Sequence, residues 1–170
     1  MANLYMTSPD GLGMIPGVAG TLVGAYWFLM LCGRLVGGAI GAKVSSRAMM
    51  TFVSSLAIVF VLLGMFIPSN VTMSLLDAQV PVGMAFFVLC GLCTSIMWGA
   101  IFNLAVEGLG KYTSIASGLF MVMVCGGGIL PLVQGAVADK AGYINSYWVL
   151  IAALVYMLWF ALIGSKPNKK

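Results

Sequence analysis

Long apolar runs separated by short polar gaps dominate this chain. Five runs stand out, at residues 17–40, 48–67, 80–106, 113–137 and 147–163. Each is about as long as a helix must be to cross a ~30 Å hydrocarbon core at ~1.5 Å per residue. The runs are continuously apolar rather than alternating, and lipid admits only structures that satisfy their own backbone groups. They predict an all-α, polytopic membrane protein with five transmembrane helices. Residues 1–16 are expected to be an extracytoplasmic loop, 17–164 the helical bundle and 165–170 a cytoplasmic tail. In the first segment no basic residue precedes an apolar run, so it does not read as a signal peptide, and Ser8-Pro9-Asp10-Gly11 reads as a turn.

Composition agrees. Hydrophobic residues make up 62% and charged residues 7%, with a mean hydropathy of +1.10, whereas a soluble domain carries about a quarter charged residues. The few charges give an orientation. Lys43 and Arg47 follow the first run, Lys111 the third, and Lys166, Lys169 and Lys170 the fifth; the other gaps hold only Lys140. The basic gaps are expected on the cytoplasmic side, which puts the N-terminus outside and the C-terminus inside. That requires an odd number of spans, in agreement with five. The net charge of +4 is mostly this orientation signal and calls for no nucleic acid.

The 22 glycines suit close helix packing in lipid. Gly20-x-x-x-Gly24 and Gly33-x-x-x-Gly37-x-x-x-Gly41 line one helical face and suggest a helix pressed against a partner. Arg34 lies inside that span, about two turns from its end. It is expected either to face protein or a wet cavity, or to snorkel to the cytoplasmic surface. In the third run Gly91, Thr94, Ser95 and Trp98 share a face that reads as a cavity lining, with core filling as the other role for Trp98. The fourth run carries Gly126, Gly127, Gly128 and Pro131, which loosen a membrane helix, as discontinuous helices do in secondary transporters. Gln134 follows as a buried amide that needs partners.

All four cysteines lie in the runs. Cys90-x-x-Cys93 has redox spacing but no soluble strand–helix context, so it reads as packing. There is no histidine and no mid-span acidic pair, so neither a Ser–His nor an aspartyl mechanism can be assembled. An enzyme is not expected. A weak echo joins Phe28–Gly33 with Gly41-Ala42 to Phe120–Gly126 with Gly135-Ala136, in opposite membrane directions, as in an inverted repeat.

Three stretches carry a resemblance. Gly33-Arg34-x-x-Gly37 with the basic turn after it resembles helix eight and the next loop of a major facilitator superfamily transporter. Ser95-Ile-Met-Trp98-Gly-Ala-Ile-Phe102-Asn103-Leu with Glu107-Gly-Leu-Gly110-Lys-Tyr-Thr113 resembles helix ten of the fucose/galactose/glucose:proton symporters. Gly126-Gly-Gly-Ile-Leu-Pro131-Leu-Val-Gln134-Gly135-x-x-Ala-Asp139-x-x-Gly142 resembles their helix eleven, with the glucose/galactose branch the nearer one. The resemblance covers the whole chain and implies a partial major facilitator fold, helices eight to twelve, in a bacterial inner membrane.

It further implies a hexose as substrate. Trp98, Gln134, Asn103 and Tyr26 would contact the sugar, and Arg34, Lys43, Arg47, Glu107 and Lys111 would serve gating or anchoring, with Gly126, Gly127, Gly128 and Pro131 as the flexible break. No cofactor or metal is expected. The coupling ion would be a proton handled by carboxylates of the missing amino-terminal half. Gly99-Ala100 and Asn103 depart from the family's Pro-Thr and serine, which leaves the choice of sugar open. The other expectation is a split or truncated piece that acts as an interaction subunit, assembling with a chain that supplies the missing helices.

Overall fold

The computed structural model of the chain describes residues 2–9, 12–41, 43–67, 71–75 and 78–164. Asp10, Gly11, Asp77 and the tail lysines Lys166, Lys169 and Lys170 lie outside the described residues. The chain is 86% helical, an all-α polytopic membrane protein. A short helix α1 (Ala2–Thr7) is followed by α2 (Pro16–Gly41) and α3 (Ser46–Phe66). A hairpin of β1 (Thr72–Leu75) and β2 (Ala78–Pro81) leads to α4 (Val82–Val106). Then come α5 (Thr113–Met123), α6 (Ile129–Ala141) and α7 (Tyr143–Trp159), which ends in a π-turn at Phe160–Gly164.

Four helical segments are long and apolar enough to cross a membrane: Pro16–Gly41, Ser46–Phe66, Val82–Val106 and Tyr143–Gly164. They match four of the five predicted runs to within a few residues. The other run forms differently. α5 and α6 are joined by a tight 3₁₀ stretch, Val124–Gly128, so neither half is long enough to span by itself. Glycine contributes no side-chain packing and weakens helix propensity by about 1 kcal/mol per residue, which accounts for the break at Gly126–Gly128. Pro131 falls in the first turn of α6, where its missing N–H leaves no helical bond unmade.

Two further differences concern the gaps. The 1–16 segment contains α1, so it is more than a loop, and the gap after α3 holds an antiparallel hairpin in which Met73 faces Val80. Helix ends carry the expected local chemistry. Pro16 opens α2 with φ already set for a helix. Ser45 caps α3, its Oγ accepting from the Ala48 N–H at 3.3 Å. Gly142, at φ +88°, makes the one-residue corner between α6 and α7, a backbone conformation that a side chain would strain.

The main core lies between α3, α4 and α7. Met50, Val53, Ala57 and Val61 of α3 meet Cys90, Cys93, Met97 and Ala100 of α4, with Tyr147, Ile151 and Leu154 of α7 closing it. α2 packs along the other side of α4, and glycine sets the distance. A Cβ on Gly33 would lie 2.8 Å from the Leu92 carbonyl oxygen, and one on Gly91 2.7 Å from that of Tyr26. Gly37 is nearly as tight against Ile96. The expected glycine face is therefore used within the chain at Gly33 and Gly37. Gly20 and Gly24 have nothing within 4 Å of their Cβ positions. α5 and α6 are peripheral, with Ile115, Leu119, Val122 and Leu132 exposed as lipid-facing residues are.

Substitution separates the two kinds of glycine. Gly33→Ala and Gly91→Ala overpack the α2–α4 contact and are expected to cost about 1–3 kcal/mol each, whereas Gly24→Ala is neutral or slightly stabilising. Thermal unfolding of the detergent-solubilised chain measures this; equal melting of all three variants would rule out the close α2–α4 approach.

Candidate functional site

Two cavities adjoin the α2–α4 contact. The first, about 400 Å³, is lined by Tyr26 and Trp27 of α2, Phe87 and Thr94 of α4, Gln134 of α6 and Tyr147 of α7. The second, about 290 Å³, is lined by Gly33, Arg34 and Gly37 of α2 and Ser95, Trp98 and Asn103 of α4. The four residues expected to contact substrate thus divide between them. Tyr26 and Gln134 share the first cavity, while Trp98 and Asn103 share the second with Arg34. The helix rise explains the division: Tyr26 and Arg34 are separated along α2 by about 12 Å.

The polar groups of the first cavity are arranged by their hydrogen bonds. Thr94 Oγ1 donates to the carbonyls of Cys90 and Gly91, each at 3.1 Å, so its one proton is committed to the helix backbone. The 3.3 Å bond between Tyr26 and Thr94 is then donated by the phenol. That leaves the Tyr26 oxygen able to accept from a ligand hydroxyl. Tyr147 stacks on Phe87 with ring centroids 4.4 Å apart, and its hydroxyl is buried with no hydrogen-bond partner. A buried hydroxyl left unmade costs about 1–3 kcal/mol. No sequence signal set Tyr147 or Phe87 apart, because aromatic rings near the ends of apolar runs are ordinary.

In the second cavity Trp98 is 39% exposed, and its ring meets Phe120 of α5 edge-on at 5.6 Å. It tethers the first half of the interrupted span to α4 while presenting ring surface to the cavity, so both roles considered for it coexist. Ser95 is buried against Gly33 with its Oγ unpartnered. The remaining cationic and acidic candidates sit at the end of the bundle opposite α1. Lys43 and Arg47 flank the α2–α3 turn, and Glu107 caps α4. Lys111 lies in the next 3₁₀ turn, with its Nζ 5.2 Å from the Tyr112 ring centroid.

No protein-family model matches the chain, and no solved structure matches it. Several curated proteins do. A glucose/galactose transporter of Brucella abortus is 30% identical over 162 residues, covering 95% of this chain and 37% of that protein. A putative glucose/galactose transporter of Helicobacter pylori is 31% identical over 149 residues, 85% of this chain and 34% of that protein. The L-fucose-proton symporter of Escherichia coli is 26% identical over 151 residues, 89% of this chain and 31% of that protein. Over most of its length the chain is thus similar to fucose/galactose/glucose:proton symporters of the major facilitator superfamily. It spans about a third of the length of these relatives. These relatives are named as transporters, not enzymes.

The interrupted span offers a direct test of how the bundle is built. Cβ atoms at positions 127 and 128 meet nothing within 4 Å, so Gly127→Ala with Gly128→Ala is expected to add helix and stabilise by about 1–2 kcal/mol. Amide hydrogen exchange across 124–128 should slow at least severalfold. Unchanged exchange would mean the break is imposed by something other than glycine.

Proposed function

We propose that this chain is the carboxy-terminal part of a hexose:proton symporter that works by alternating access, two helical halves rocking about a sugar site near the midplane. The observation that carries the reading is the first cavity, where an aromatic wall, a phenol oxygen free to accept and the Gln134 amide converge in a space that a hexose fits. A sugar is neutral and rich in hydroxyls, and such a lining suits it better than charge does. Similarity to glucose/galactose transporters along nearly the whole chain supports the substrate class.

The chain supplies one wall of the site, and the proton is handled by residues it does not contain. In this reading the second cavity, with Trp98 and Asn103, is the next station toward the cytoplasm, and Lys43, Arg47, Glu107 and Lys111 anchor the cytoplasmic face of a bacterial inner membrane. The N-terminus lies outside and the C-terminus inside. A second reading is a split-gene subunit that assembles with a chain providing the missing helices. The open face at Gly20 and Gly24, unused within the chain, supports it.

Proteoliposomes test both readings. The chain alone is expected to show no proton-driven glucose or galactose uptake. Co-reconstitution with the whole part of the Brucella transporter that precedes the matched region is expected to restore uptake and bring the two pieces through purification together. Gln134→Ala and Trp98→Ala in that assembly should each weaken apparent sugar affinity by about tenfold, the scale of one lost hydrogen bond or ring contact. Concentrative uptake by the chain alone, or affinity untouched by both substitutions, would overturn the assignment.

A further inference from the structure

Arg34 borders the second cavity from α2 and carries a charge that nothing among the described residues balances. A guanidinium stays protonated at any ordinary pH, so it cannot shed its charge as a buried lysine can. Neither Glu107 nor Asp139 belongs to the cavity lining, and among the described residues Arg34 makes no ion pair or hydrogen bond. By helix rise it lies about 10 Å short of the end of α2, inside the span. A cation at that depth needs a counter-ion or a wet cavity.

Two further polar groups of the same cavity lack partners. Ser95 is 3% exposed and its Oγ has no hydrogen bond. Gly33 opposite it allows the close approach that buries it, since a Cβ there would lie 3.0 Å from the Ser95 Cβ. Asn103, about two turns further along α4, offers an amide that no described residue engages. Trp98 supplies an aromatic wall, and glycine backbone supplies much of the rest. A buried polar group without a partner is uncommon; here an orphaned hydroxyl, a free amide and an unbalanced cation border one space.

That set specifies a chemistry. One fixed positive charge is matched by one monoanion, and the planar guanidinium fork pairs with a carboxylate through two parallel N–H···O bonds. A phosphate dianion would leave charge uncompensated. The hydroxyl of Ser95 and the amide of Asn103 both donate and accept, as bonding to ligand hydroxyls requires, and the indole offers an apolar face to a ring. At about 290 Å³ the space lies at the lower end of ligand pockets, which run from ~300 to ~1,000 Å³, and so admits one small molecule.

We propose that the second cavity binds a carboxylated sugar of the hexuronate class, its carboxylate on Arg34, its hydroxyls on Ser95 and Asn103 and its ring against Trp98. The proposal takes the sugar class from the reading above and adds a charge that the first cavity does not ask for.

The chain has two arginines, and Arg47 is not part of the cavity lining, so phenylglyoxal modification read at each residue by mass spectrometry carries its own control. The full chain in lipid nanodiscs is labelled at constant ionic strength. D-Galacturonate in excess should slow modification of Arg34 at least threefold and leave Arg47 unchanged, while D-galactose and acetate at the same concentration protect neither. Ser95→Ala should raise the half-protecting concentration about three- to tenfold, the scale of one lost hydrogen bond. Lys140→Gln, which removes an equal charge outside the cavity, should leave it unchanged.

Absence of protection by galacturonate would overturn the site. Equal protection by acetate would refute the sugar, and equal protection by galactose would refute the role of the charge. With the preceding part of the Brucella transporter assembled on the chain, Arg34 should stay reactive until galacturonate is added; an Arg34 already silent without sugar is paired by protein, and the site falls. Galacturonate protection alongside failed proton-driven hexose uptake would sustain this site and refute the hexose reading.

Discussion

The approach of α2 to α4 is the constraint on which the rest of the arrangement depends. In lipid there is little hydrophobic gain from burying one apolar helix against another, so association rests on close van der Waals fit. Here the fit is backbone against backbone. Gly33 meets the Leu92 carbonyl and Gly91 meets that of Tyr26, at distances that leave no room for a methyl group. Gly64 and Gly83 repeat the device between α3 and α4. α4 is thereby clamped on two sides, and its polar positions are distributed to the surfaces that remain.

Both cavities follow from that clamp. Because the helices touch through glycine over their middle, the larger side chains on either side of the contact stand around open space. Tyr26 and Thr94 face one such space and Arg34, Trp98 and Asn103 the other. The interrupted span completes the picture: its α6 half brings Gln134 to the first cavity, and its α5 half meets Trp98 of the second through Phe120.

The alternation of apolar runs and basic gaps was enough to read four spans to within a few residues, and the basic turn between the first two. The break in the fourth run was equally visible in Gly126–Gly128 and Pro131, since propensity acts locally. Helix periodicity also put Gly91, Thr94, Ser95 and Trp98 on one face; Thr94, Ser95 and Trp98 line the cavities, while Gly91 packs against Tyr26. Tyr26 and Gln134 line one cavity and Trp98 and Asn103 the other, a division that no pattern along one helix could show. Spacing within one helix says which residues share a face, but the level at which two helices meet is a property of their packing.

What the amino-acid sequence determined by itself is what depends on nearest neighbours and on partition into lipid: helix existence, length, caps, breaks and the membrane setting. These follow from hydropathy, backbone satisfaction and propensity, each summed over a short window. Only the tertiary structure decided which glycines are filled by a neighbour and which stay open, that Tyr147 and Phe87 belong to a cavity, and that Asn3 and Met6 of α1 join its lining. Each of those depends on residues far apart in the chain, such as Ser8 and Tyr143, which no local pattern relates and only the joint packing of α2, α4 and α7 brings within hydrogen-bonding distance.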